Sequence, residues 1–415
     1  MSIFRRVKES IEDACYIWKE EMKLVIKDEG VLIFFILVPL LYPLLYSWIY
    51  NNEVVREVPV VVVDESHSSL SREFIRHCDA SPDVRIAYYA DDLDEAKMLV
   101  SRQVVKGVYL IPSDFDTRIN RLEQATVGVY CDMSLMLAYK AIFQTAQSVS
   151  MDMGAKIKTK LSGLYTAREE QIGGRPLDFD EVAIFNPTGG YGSFILPAVL
   201  MLIIQQTLVL GIGLAAGTAR EDNRFKSLIP VSRHYHGMFR IVAGKGMAYF
   251  MIYAVMSAYL LLVVPRMFSF TAIGQWQTLL AFILPYLLSC IFFGMVVSCL
   301  VRYRENVMLL MVFVTLPLLF LSGISWPQTS IPPFWQAIGC LFPSTFGIRG
   351  FVRINEMGAT LSEVQTEYHM LWIQTAVYFI IACLVYRYQI HLAHEKVREE
   401  VAEKKRKLLT NTAST

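Results

Sequence analysis

Val31 to Tyr50 is a run of 20 residues without a single charge. No other feature limits the possible folds so strongly. An α-helix rises about 1.5 Å per residue, so about 20 apolar residues match the roughly 30 Å hydrocarbon core of a bilayer. The run therefore predicts a membrane-crossing helix over 30–50, and the same test applied downstream predicts five more. No charge falls between Glu181 and Arg220. That window opens on the turn-forming Asn186-Pro187-Thr188-Gly189-Gly190 and holds a second helix, about Ser193 to Gly217. Gly246 to Pro265 supplies a third. Met267 to Val301 gives a fourth after a loop at Gly274-Gln275. Asn306 to Ile348 is uncharged but cut by Pro327, Pro332, Pro333 and Pro343. It reads as a fifth span, about Val307 to Gly323 with a kink at Pro317, followed by a re-entrant segment over 327–350. Such broken backbone is tolerated at membrane depth only when protein or a water-filled cavity shields it. Met370 to Tyr386 is the sixth and shortest span.

Composition agrees. The chain is 54% hydrophobic and 19% charged, against about 25% charged in soluble domains, and the deficit lies in these windows. A net charge of +1 provides no global basic field of the kind that attracts nucleic acid. The seven cysteines form no CxxC or Cys/His cluster with metal-binding spacing. Cys78 and Cys131 fall in the segment read as extracytoplasmic, where a disulfide is open to them; two unrelated buried thiols is the reading the sequence favours. Residues 2 to 29 are dense in charge, unlike a cleavable signal peptide.

Basic residues near span ends orient such a protein, because Lys and Arg concentrate on the cytoplasmic side. The first 29 residues, the loop after the second span (218–240), Arg302 and Arg304, and the tail (391–415) are rich in them. With six spans these regions share one side, so both termini are expected in the cytoplasm. Of the opposite loops, the two short ones are poor in Lys and Arg, with Arg266 in one and Arg349 and Arg353 in the other. In residues 1–29, Val7, Ile11, Cys15, Trp18, Met22 and Val25 recur at helical spacing opposite Lys8, Glu12, Lys19, Lys23 and Lys27. This predicts an amphipathic helix suited to the membrane interface, or to a partner protein.

Residues 51–190 form an insert large enough to be an extracytoplasmic domain. β-Branched runs at Val58 to Val63, Val84 to Tyr89, Lys106 to Ile111 and Val127 to Cys131 read as strands. Ser68 to Cys78 and Asp91 to Ser101 read as helices between them. Strands alternating with helices indicate a small α/β unit, here followed by a long helical stalk from about Ser134 to Glu170. Asp64, Asp114, Asp116 and Asp132 read as caps and strand-end residues rather than metal ligands.

With these pieces in order, the chain resembles the ABC type-2 transporter permeases, bacterial exporter membrane subunits with a large loop after the first span. The resemblance covers nearly the whole chain. It rests on Pro59-Val60-Val61-Val62-Val63-Asp64 with Ser68 to Arg72, on Gly107 to Phe115, on Asn186-Pro187 with Tyr191 and Pro197, and on Ser322 to Pro327 followed by Pro332-Pro333 and Phe342-Pro343-Ser344-Thr345. The loop after the second span departs from the family pattern: Arg220-Glu221-Asp222 is kept, but Asn223-Arg224-Phe225 follows and Gly217-Thr218 lies before it.

The resemblance implies an α-helical polytopic membrane protein of six transmembrane helices with an inserted α/β extracytoplasmic domain. It implies no catalytic residue and no metal in this chain. No Gly-x4-Gly-Lys-Ser/Thr phosphate loop is present, so ATP and Mg are expected on a separate ABC ATPase. The family further implies that the loop after the second span couples to that ATPase. Arg220, Glu221, Asp222, Arg224, Phe225 and Leu228 are the candidates, with Phe225 and Leu228 as apolar anchors. Polar groups inside spans are costly and often functional. Gln205, Gln206 and Thr315, with Phe320, are candidates for a substrate path; hydrogen bonding between helices explains the polar ones equally well. Trp326, Pro327, Pro332, Phe342 and Pro343 mark the re-entrant exit segment. Expected partners are the ATPase, a second permease copy (homodimer or paralogous heterodimer), membrane lipid and periplasmic adaptor proteins, in a bacterial inner membrane. The alternative from another class is a membrane-anchored receptor or adhesion protein whose external domain binds a partner.

Overall fold

A computed structural model describes residues 3–121, 123–162, 184–186, 189–222, 228, 235, 237–300 and 304–413. The protein is mostly helical with one small sheet, and it divides into two compact units: 1–51 with 189–415, and 52–188.

The smaller unit is built on a four-stranded sheet of order β2-β1-β3-β4. The strands are β1 (Val58–Asp64), β2 (Val84–Tyr89), β3 (Gly107–Ile111) and β4 (Gly128–Cys131). β1 runs parallel to both neighbours, and β4 is antiparallel to β3. The helices of this unit are α3 (Ser69–Asp79), α4 (Leu93–Ser101), α5 (Phe115–Asn120) and α6 (Met136–Ser162). β1 connects through α3 to β2 on one side, and β2 returns through α4 to β3 on the other. Right-handed crossovers in opposite directions place their helices on opposite faces. Val58, Val60 and Val62 accordingly pack with Phe74, Ile75 and Cys78 of α3 and Ile142 of α6. Val61, Val63 and Val108 pack with Ala96 of α4. Burial on both faces explains why β1 is a continuous valine run rather than an alternating one.

Local chemistry sets the boundaries. Ser68 and Ser71 form a reciprocal capping box at the start of α3, each backbone N–H donating to the other's hydroxyl at 3.0 Å. Asp64 Oδ1 accepts from the Ser66 and His67 amides at 3.1 Å, and its Oδ2 from the Ser71 hydroxyl at 2.8 Å. Asp92 caps α4 through the Glu95 amide at 2.6 Å. Asp114 departs from expectation: it sits at the start of α5 but makes no side-chain cap bond, and pairs instead with Arg118 Nε at 2.5 Å. A cation one turn along its own helix competes successfully for the carboxylate. The predicted stalk is α6 as far as Ser162; its continuation to Glu170 lies outside the described residues.

In the larger unit, α1 (Ile3–Lys27) precedes α2 (Glu29–Ile49), which carries a π-helical turn at Ile33–Leu37. Then follow α7 (Tyr191–Asp222), α8 (Met238–Met267), α9 (Trp276–Leu300), α10 (Arg304–Leu321), α11 (Pro333–Gly339), α12 (Pro343–Met357) and α13 (Gln365–Ala413). Among the described residues five helices are long and apolar enough to cross a membrane: α2, α7, α8, α9 and α13. The segment expected as a further crossing, α10, is shorter. Its apolar part, Asn306–Leu321, rises about 24 Å at 1.5 Å per residue.

Three expectations need correction. The loop expected over 218–240 begins later, because α7 continues to Asp222 and α8 opens at Met238. The span expected as the shortest, Met370 to Tyr386, belongs to a 49-residue helix, the longest among the described residues. Charge ends an apolar run but not a helix: the tail is rich in Glu, Lys and Ala, good helix formers with favourable four-residue pairs, such as His391 with Glu395 at 3.4 Å. Finally, α1 is helical as expected but buries a different stripe. Val25 of the predicted apolar face is buried as expected, together with Ile17 and Glu21 outside that face, whereas Ile11 and Cys15 of the predicted face are exposed.

The helices pack closely. A Cβ on Gly347 would lie 2.3 Å from the Tyr286 ring, and one on Gly350 would lie 2.2 Å from the Phe282 ring. Only glycine lets α12 approach α9 this far, the usual device for helix association in lipid.

Candidate functional site

The segment between α7 and α8 borders the expected site of energy input. Arg220 Nη2 donates to the carbonyls of Ser298 and Cys299, at 3.2 and 3.3 Å. The last carbonyls of a helix lack intrahelical donors, so Arg220 closes the end of α9 while ending α7. Two residues earlier, the Thr218 hydroxyl donates to Asp28. Asp28 also caps α2, accepting from Gly30 and Val31 amides at 2.9 and 3.2 Å. Glu221 is exposed. Leu228 is buried within the helical core. The Asp222 side chain, Arg224 and Phe225 lie outside the described residues.

Among the described residues, Gln205 and Thr315 of the candidates for a substrate path bond to other groups rather than to one another. Gln205 is fully buried, and its Oε1 accepts the Ser344 amide at 2.6 Å. That amide is one of the unsatisfied donors in the first turn of α12, so a residue midway along α7 caps a helix 139 positions away. Gln205 Nε2 and Gln206 Nε2 have no hydrogen-bond partner among the described residues. Thr315 bonds back to Met311 of its own helix at 2.6 Å, a common use of a mid-helix threonine. Phe320 is exposed.

The segment between α10 and α12 is two structures in one. Trp326 and Pro332 are exposed, and Pro327 precedes a short 3-10 turn at Gln328–Ser330. From Pro343 to Asn355 most of α12 is buried. Phe342, directly before α12, packs edge-to-face on Phe293 with centroids 5.7 Å apart. The turn into α12 is gripped on several sides. Gln374 Nε2 donates to Cys340 O at 2.8 Å, Tyr378 to Leu341 O, and Arg349 Nε to Ser322 O at 3.0 Å. These gripping residues sit in separate stretches of chain, and although charge marks Arg349, no local pattern singles out Gln374 or Tyr378.

In the smaller unit the acidic residues are engaged locally. Asp132 accepts from the Ser134 amide at 2.9 Å and from Gln103 Nε2 at 3.2 Å, and the Ser134 bonds hold its carboxyl below the usual range. Among the described residues no three His, Cys, Asp or Glu side chains gather as a metal site. Cys78 and Cys131 are free thiols. Burial pushes them up to about 12 and about 11, leaving almost no nucleophilic thiolate at neutral pH.

Five helices long and apolar enough to cross a membrane, joined by buried interhelical polar pairs, define a multi-pass membrane protein. The chain belongs to the ABC-2 family of transporter proteins, whose family model matches residues 30–384. It is similar to proteins described as "Inner membrane transport permease YadH" from Escherichia coli strain K12 and from Shigella flexneri. Each is 24% identical over 195 residues, covering 46% of this chain and 73% of the relative. Family membership makes the chain a transport subunit rather than an enzyme, of a kind that normally works with an ABC ATPase.

Proposed function

We infer that this chain is the translocation subunit of an ATP-driven ABC exporter in the inner, cytoplasmic membrane of a bacterium. The observation that carries the reading is the family match over 30–384, which takes in the helices from α2 into α13. In this reading α10 crosses as well, making six spans with both termini cytoplasmic and residues 51–190 outside. Two copies, identical or paralogous, enclose the path, since one set of six helices forms no enclosed channel. A separate ABC ATPase binds ATP and Mg and acts on Arg220 to Leu228. The cargo is an amphiphile, lipid-like or drug-like, suited to apolar walls with a few buried amides such as Gln205 and Gln206. The exposed face of α1, with Ile11, Cys15 and Ile26 beside lysines, contacts lipid, and the external unit recruits periplasmic adaptor proteins.

The test is purification from native membrane in mild detergent with mass spectrometry of what accompanies the chain. A stoichiometric ATPase with a phosphate loop supports the reading; recovery with external proteins alone favours a receptor and refutes it. Within the complex, Glu221→Ala with Phe225→Ala is expected to separate ATP turnover from transport. Unchanged transport would remove the coupling role from these residues.

A further inference from the structure

Charged groups, rather than apolar contacts alone, hold α1 along α8. Glu21 and Lys245 are only 3% and 4% exposed. Lys245 Nζ donates to Glu21 Oε2 at 2.6 Å, and Tyr249, one turn further along α8, donates to the other oxygen of the same carboxylate. Earlier on both helices, Arg240 pairs with Asp13. Between the two pairs the helices nearly touch: a Cβ on Gly244 would lie 2.7 Å from the Ala14 carbonyl oxygen and 2.9 Å from Ile17 Cβ. Immediately after α1, Asp28 receives the Thr218 hydroxyl from the end of α7. The stretch from Asp13 to Asp28 is thus bonded to both helices that border the 223–237 connection.

Burying a carboxylate and an ammonium is unfavourable unless both are paired and hydrogen-bonded, and an apolar pair would hold two helices at lower cost. What the ion pair adds is direction, because only one alignment of α1 on α8 satisfies Lys245 and Tyr249 together. We propose that the Glu21–Lys245–Tyr249 cluster latches α1 to the first turns of α8, with Glu21 and Lys245 as positioning residues that make the two helices one moving body. The consequence rests on the exporter reading: when an ATPase displaces the connection between α7 and α8, α1 travels with α8 instead of staying behind at the membrane surface.

The experiment uses the full chain with its ATPase in nanodiscs. Spin labels go at the exposed positions Ile11 and Met247, with the exposed Cys15 and Cys340 replaced by serine. The expected result is one narrow distance that ATP leaves unchanged. Glu21→Lys or Lys245→Glu alone broadens it and lowers permease-dependent ATP turnover roughly tenfold, a usual size for coupling between sites. The two substitutions together narrow the distance again and restore turnover, which a purely local packing defect would not do. A single variant with an unchanged distance overturns the latch, as does unchanged turnover with a broadened distance, or an ATP-driven shift in the unsubstituted pair. A chain that recruits no ATPase while the single variants still broaden the distance overturns the exporter reading and leaves the latch standing. Should the charge variants fail to accumulate, Tyr249→Phe removes one hydrogen bond and no charge, and carries both readouts with a smaller shift.

Discussion

The α/β unit and the helical unit satisfy their polar groups by different routes. In the α/β unit the side-chain bonds are mostly local: Asp64 serves Ser66, His67 and Ser71, Ser68 serves Ser71, and Asp92 serves Glu95. In the helical unit many of them reach far along the chain. Gln205 binds Ser344, Tyr286 binds Met201 O, Gln374 binds Cys340 O, Tyr253 binds Thr207, and Lys245 binds Glu21. The difference follows from the surroundings each is built for. Burial of valine against water assembles the α/β core, so polar groups are left to finish turns and helix ends. Between helices in lipid there is little apolar gain to be had. Association then rests on close approach and on polar groups meeting across the interface.

That contrast can be broken, and the largest effect is expected at the ion pair. Lys245→Met strands the buried Glu21 carboxylate and should cost about 3–5 kcal/mol, seen as a fall in the thermal midpoint of the detergent-solubilised protein. A shift no larger than that of a surface mutant would refute the contrast. In the α/β unit, Ile142→Ala removes a fully buried side chain beneath β3 and should cost about 2–5 kcal/mol. Hydrogen exchange should then accelerate in the four strands while α7 to α13 stay protected; uniform acceleration would mean the two units unfold as one. Gln205→Leu leaves the Ser344 amide unbonded inside the bundle and should cost about 1–3 kcal/mol, with faster exchange confined to the first turn of α12. Asp92→Ala removes a cap that water can partly replace, so about 1 kcal/mol is expected, read from exchange at the start of α4. If the exposed cap outweighs the buried one, the assignment of long-range bonds to the helical unit is wrong.

A further test is one of sign. Burial pushes the Glu356 carboxyl, beyond the candidate spans, up to about 7. One of its oxygens has no hydrogen-bond partner among the described residues. The folded state therefore holds this proton more tightly than the unfolded chain, and the contribution of Glu356 to stability falls as pH rises from about 4.5 through 7. Glu356→Gln and the unsubstituted protein should melt alike near pH 4 and diverge toward pH 8, with the glutamine variant the more stable. Divergence in the other direction would show that the carboxylate finds a cation or donor in the membrane.

Much of the architecture followed from sequence. Uncharged windows placed α2, α7, α8, α9 and the core of α13, because length and the absence of charge are local properties with a fixed physical meaning in a bilayer. The valine run of β1 and the Ser and Asp caps were readable for the same reason: each acts within a few residues. Helix ends were harder to read. α7 continues two residues past the first charge, Arg220, to Asp222, and α13 outruns the first charge after its apolar run by far more, since helix propensity continues where apolarity stops.

The candidate site divides along the same line. The charged end of α7 and the buried amide of Gln205 stood out as residue types unusual at their positions. The roles they take did not. That Arg220 closes α9, that Gln205 caps α12, and that α1 buries Glu21 against Lys245 while exposing Ile11, are facts about residues between 78 and 224 positions apart. The sequence by itself determined which segments become helices, which become strands, and which of the helices are fit to cross a membrane. Only the tertiary structure decided which polar group meets which, because in a helical bundle that choice depends on how each helix is rotated and slid against its neighbours, and no local pattern encodes rotation or slide.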